Sequence, residues 1–123
     1  MTDAPIEGQV LVLTAAKASV PASRLPGLIE RVQRHLAADR GQYRREYERL
    51  HATETIDLFL VEPGHWESLG ASLGFDDREL AAVHRAHEEQ LLRIGRRIDR
   101  ETAFETALDV REPVCISRED GDN

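Results

Sequence analysis

Between Ser23 and Ala52 the apolar positions Leu25, Leu28, Ile29, Val32, Leu36, Tyr43, Tyr47 and Leu50 recur at helical spacing. At about 100° per residue they fall on one narrow stripe, which predicts a single helix of about 30 residues, on the order of 45 Å long. Ser23 is its expected N-cap, and Pro26 sits early enough to cost no intrahelical bond. Asp39 and Gly41 are its weakest points, since glycine inside a helix costs about 1 kcal/mol relative to alanine.

The pattern elsewhere is shorter. Val10 to Leu13 suits a buried strand and Thr14 to Ala18 a helix; the alanines favour a short buried helix, ended before Pro21, with a strand over residues 9–18 as the alternative. Ile56 to Val61 reads as a strand stopped at Pro63-Gly64. Trp66, Leu69 and Leu73, with Gly74 behind them, predict a short helix closed by a glycine cap. Asp76 and Glu79 form a variant of the capping box, with Phe75 and Leu80 as a hydrophobic staple. The seam that follows, Leu80, Val83, His87, Leu91, Ile94 and Ile98, suits packing along the first long helix. A phase shift after Ile98 predicts a separate short helix from Arg100 to Leu108. Residues 112 to 117 read as a second strand, with Pro113 placing it at an edge.

These elements predict an α+β fold, mostly α: two long packed helices, short helices and a small two-stranded β element. One domain spans 1–123, with 1–7 and 118–123 as flexible tails. No apolar run approaches the roughly 18 residues of a spanning helix, and the early Asp3 and Glu7 argue against a signal peptide, so the expectation is a cytoplasmic protein. The lone cysteine, Cys115, has no internal partner for a disulfide and reads as a small core residue.

Charge narrows the function classes. The net charge is −7, and every one of the 16 basic residues except Lys17 is an arginine. An acidic surface opposes general attraction to nucleic acid or anionic lipid. In its lysine-poor, alanine-rich, acidic composition the chain resembles small uncharacterised haloarchaeal proteins, which implies a salt-adapted habitat and no particular activity.

Three candidate chemistries remain. His84 and His87 are one turn apart with Glu88 adjacent, and His65 lies shortly before, so folding could gather a site for a divalent ion such as zinc. The H-x-x-H-E spacing is unspecific and lacks a second ligand cluster, and structural or surface histidines explain it more simply. His87 stands in an aliphatic seam and needs a partner; Asp39, Tyr43 and Tyr47 on the facing helix are the expected ones. Arg44, Arg45, Arg49, Arg96, Arg97 and Arg100 suggest a nucleic-acid face, although interleaved glutamates explain them as solvated ion-paired surfaces. Gly70-Ala71-Ser72-Leu73-Gly74 matches the G-x-S-x-G elbow but lies inside a helix, in a chain too short for that fold.

The expectation is therefore a non-enzymatic interaction or regulatory protein without a cofactor. It self-associates as a homodimer through Leu36, Tyr43, Tyr47 and Leu50 on the long helix. The alternatives are a metal or small-ligand protein using His65, His84, His87 and Glu88, and a nucleic-acid-binding regulator using the arginines.

Overall fold

The computed structural model describes residues 6–17 and 20–118. Among these residues six helices and three strands run in the order α1 (Gly8–Lys17), α2 (Leu25–Ala38), α3 (Arg40–Glu46), β1 (Glu48–Ala52), β2 (Ile56–Val61), α4 (His65–Leu73), α5 (Asp77–Arg97), α6 (Glu101–Leu108) and β3 (Glu112–Ser117). The fold is α+β and mostly helical, with one antiparallel sheet in the order β1-β2-β3.

The expected 30-residue helix is three elements. At Asp39 (φ −106°, ψ 14°) the backbone leaves helical geometry, so α2 ends and α3 begins. At Tyr47 (φ −118°, ψ 154°) it becomes extended and enters β1. Leu50 fits a helical phase and a strand equally, and pairing with β2 decides for the strand. Thr53 closes the β1–β2 turn: its Oγ accepts from the amides of Thr55 and Ile56, at 3.2 and 3.1 Å. The helix α2 starts at Leu25, with Arg24 rather than Ser23 at its cap position.

The other expectations hold more closely. Residues 8–17 form a helix; Ala18 lies outside the described residues. The α5 capping box is present, with Asp76 Oδ1 accepting from Glu79 N at 2.8 Å and Glu79 Oε1 from Asp76 N at 2.9 Å. Gly74 ends α4 at φ 72°, a left-handed value that favours glycine. Phe104 on α6 is buried against Gly95 on α5, where an added Cβ would lie 2.8 Å from its ring. The central strand is buried along its whole length.

Tails 1–7 and 118–123 were expected to be loose. Residues 1–5 and 119–123 lie outside the described set, whereas Ile6 is fully buried and Arg118 is tied to the Thr55 and Thr53 carbonyls. Glu7 pairs with Arg97 at 2.6 Å and exchanges two bonds with the Gln90 amide, each 2.8 Å.

Candidate functional site

The capping box fixes the register of α5, and that register turns His87 inward, where it is fully buried. Its Nδ1 accepts the backbone N–H of Cys115 at 3.0 Å, so the ring is neutral and carries its proton on Nε2. Burial, reinforced by the neighbouring His84, holds its pKa down at about 3. The Cys115 thiol donates to the His87 carbonyl at 3.6 Å, and burial pushes its pKa up, which makes it an inert core thiol.

This contact belongs to a larger arrangement along β3. Residues alternate across an antiparallel ladder, so Pro113, Cys115 and Ser117 turn their backbone polar groups away from β2. Pro113 has no N–H, and its carbonyl accepts from Trp66 Nε1 at 2.7 Å. The Gln33 side-chain amide bridges the next two residues, donating to the Cys115 carbonyl at 2.6 Å and accepting from Ser117 N at 3.1 Å. Arg40 donates to the Ser117 carbonyl at 2.9 Å. Side chains from α2, α3, α4 and α5 thus take the place of a fourth strand. Each such buried group left unpaired would cost about 1–3 kcal/mol.

Glu112, the first residue of β3, secures the same edge from below. Its carboxylate accepts from Gly64 N at 3.1 Å and Trp66 N at 2.9 Å, which anchors the first turn of α4 and the Trp66 ring with it.

The histidines expected to share an ion are distributed around Trp66 and the tyrosines. His84 stacks on the indole at 5.6 Å between centroids, and His87 meets it edge-on at 4.6 Å. His65 turns to the other side, where its Nε2 shares a 2.6 Å hydrogen bond with the Tyr43 hydroxyl and its ring packs edge-on against Tyr43 and Tyr47. Burial lowers the His65 pKa, against the opposing pull of Glu112, and raises that of Tyr43. Glu88 is half-buried beside His87. Among the described residues no three His, Cys, Asp or Glu side chains are gathered as metal ligands, so the expected grouping of His65, His84, His87 and Glu88 is not assembled.

Two other expected contacts are corrected. Asp39 is exposed and does not partner His87, because the bend at Asp39 turns it to the surface and Cys115 supplies the partner. Leu36 and Tyr43 are buried in the chain's own core, and Tyr47 and Leu50 pack against that core, so the stripe is covered internally.

The arginines are brought together in two places. Arg44, Arg49 and Arg118 surround the fully buried carboxylate of Asp57, at 3.0, 3.5 and 4.0 Å. Arg45 is exposed. At the end of α5, Arg96 pairs with Glu101 at 3.0 Å, Arg97 with Glu7, and Arg100 lies over the Phe104 ring at 5.5 Å. Sequence reading missed Asp57 and Gln33. A lone carboxylate inside the apolar run Ile56 to Val61 was the available signal for Asp57; one glutamine on a helix gives none.

A further surface lies on α1. Ile6, Val10 and Thr14 face inward, whereas Gln9, Val12, Leu13 and Ala16 form an outward stripe at i, i+3, i+4 and i+7. Val12 is 67% exposed and Leu13 48%. No helix of the described residues is long and apolar enough to cross a membrane.

Fold and surfaces together define a small α+β protein with a sheet sealed along one edge and an uncharged helix face turned outward. Residues 4–118 match the family described as a domain of unknown function, DUF8048, and the chain belongs to that family. No curated protein and no solved structure matches it.

Proposed function

We propose that the protein is a non-enzymatic interaction protein of the cytoplasm that works as a homodimer, paired through the outer face of α1. The observation that carries this reading is the outward stripe of Val12, Leu13 and Ala16 on a helix that is apolar on both sides. A helix of that composition is normally covered all round.

Charge supports a second copy as the cover. Two chains of net charge −7 repel one another over most of their surface, and α1 contains no acidic residue. Antiparallel pairing about a twofold axis at Val12 and Leu13 sets Lys17 of each copy opposite Gly8 of the other, next to Glu7. It also aligns the two helix dipoles head to tail. The stripe is small beside a standard interface of about 1,600 Å², so a dissociation constant in roughly the micromolar range is expected. Added salt tightens the pair by screening the net repulsion.

Sedimentation of the untagged protein tests this reading directly. A dimer that strengthens with salt and is lost in Val12→Glu/Leu13→Glu, with the circular dichroism unchanged, is the expected result. A wild-type chain that stays monomeric at high salt and at hundreds of micromolar would overturn it.

A further inference from the structure

Tyr43 is buried on α3 and His65 opens α4, so the 2.6 Å bond between the Tyr43 hydroxyl and His65 Nε2 ties together two helices that β1 and β2 separate in the chain. The hydroxyl has no other hydrogen-bond partner among the described residues, and its ring packs on Phe59 of β2 at 5.7 Å and on Tyr47 at 4.9 Å. Burial keeps this phenol protonated. A phenol proton with a single acceptor within reach points at that acceptor. Tyr43 therefore donates to Nε2, and neutral His65 carries its own proton on Nδ1.

A second proton on the ring breaks this arrangement. An imidazolium donates from both nitrogens, so two hydrogens would meet across 2.6 Å. The phenol proton would then have to turn into the packing of Phe59 and Tyr47, where it finds no acceptor. Each element packed on His65 contributes a group that faces it. From α3 come the uncharged rings of Tyr43 and Tyr47, and Asp39 acts in turn on Tyr43, holding its proton more firmly. From the turn before α4, the Glu62 carbonyl accepts from His65 N at 3.1 Å. From β3, the Glu112 carboxylate pulls the ring towards its charged form, against burial. That carboxylate lies at the first turn of α4, bonded to Gly64 N and Trp66 N.

We propose that His65 is a two-position acid switch: neutral, it holds the Tyr43 hydroxyl and closes α3 onto α4; protonated, it turns to the Glu112 carboxylate and lets α3 go. Because α3 runs through Tyr47 directly into β1, the part released is the corner that leads into that edge of the sheet. The β3 edge stays shut over the same range, since His87 refuses its proton down to about pH 3 and keeps its bond to Cys115 N.

Hydrogen exchange in the full chain, expressed as protection factors between about pH 7.5 and pH 5, tests the switch at the amides of Tyr43 and Tyr47. These bond to the Asp39 and Tyr43 carbonyls at 3.0 and 3.1 Å. Their protection should fall with acid by up to about tenfold per pH unit, the limit for one proton, while that of the Cys115 amide falls less. In His65→Gln, whose side-chain oxygen can accept from Tyr43 but does not titrate, the fall at Tyr43 and Tyr47 should disappear. The nitrogen shifts of the His65 ring supply a second readout that needs no variant: at about pH 7.5 the unprotonated nitrogen should be Nε2. In Glu112→Gln the same ring should take up its second proton at lower pH. A proton on Nε2 near neutrality, an unchanged titration in Glu112→Gln, an equal loss of protection in His65→Gln, or a loss shared equally by Cys115 would overturn the inference.

Discussion

The two edges of the sheet are finished in opposite ways. Along β3 each outward backbone group of Pro113, Cys115 and Ser117 meets a side chain from a helix. Along β1, among the described residues, no side-chain hydrogen bond reaches the strand backbone, and the strand is half-exposed. Its protection is of another kind: charged Glu48 and Arg49 at its start, and an irregularity between Arg49 and His51 that skips Leu50 in the ladder. A sealed edge ties helices to the sheet and adds stability, while charges and a bulge only discourage unwanted strand pairing. Substitutions on the two edges should therefore differ sharply in their cost.

His87 carries the largest expected effect. Leucine fills a similar volume but leaves the buried Cys115 N–H without an acceptor, so His87→Leu should lower unfolding free energy by about 3 kcal/mol in chemical denaturation. His87→Asn, whose Oδ1 can stand in for Nδ1, should recover a substantial part of that loss. If leucine and asparagine cost the same, the hydrogen bond is not what holds the edge.

Gln33 comes next. Its amide substitutes for a peptide unit of a neighbouring strand, and Gln33→Leu removes two bonds at a half-buried position, for an expected loss of about 2 kcal/mol. Hydrogen exchange should report the change locally, with the Ser117 amide losing protection first and the outward amides of β1 unaffected. A uniform loss of protection over the whole sheet would mean that the residue acts through global stability alone.

How much of this was readable in advance depends on whether the signal is local. The α5 capping box, the glycine stop of α4 and the strand character of residues 56–61 and 112–117 are written in contiguous residues, and all three appear in the structure. Tyr43, Tyr47 and Leu50 show where periodicity fails. Their spacing continues a helix, yet residues 48–52 are extended because β2 offers a partner strand that no local pattern reveals. His87 was legible as a polar group needing a partner, but that partner is a backbone amide 28 residues away, which side-chain identities do not encode. Gln33 and Glu7 act across 82 or more residues and carry no local mark.

The two edges should also separate by pH. The His87 pKa is depressed to about 3 from an ordinary value of 6.5, so between these limits the unfolded chain binds a proton that the folded chain refuses. Its contribution to stability is complete above pH 6.5 and falls away as the pH drops towards 3, at no more than about 1.4 kcal/mol per pH unit. His65, also depressed by burial, adds a loss of the same sign. Glu7, lowered to about 2 mainly by its bonds to Arg97, loses its contribution only below pH 4.5. Thermal unfolding of His87→Asn should therefore lose part of the slope between pH 6.5 and 3 and keep the Glu7 contribution below pH 4.5. An unchanged slope in that window would show that His87 is not the titrating group.

The smallest effect is expected on β1, and it completes the contrast. Glu48 is exposed, its carboxylate stands 3.5 Å from Arg111, and surface pairs of this kind are worth about 0–1 kcal/mol. Glu48→Gln keeps the shape and removes the charge, so stability should change by less than about 0.5 kcal/mol, with less effect still in high salt. Its consequence should appear in association instead, since an edge that is open and less charged is a better template for another strand. Sedimentation of Glu48→Gln combined with Val12→Glu/Leu13→Glu isolates that route, because the α1 face is then closed to pairing. Self-association of this combined variant would show that charge on β1 restrains strand pairing. A strictly monomeric variant would place the restraint in the backbone irregularity at Leu50.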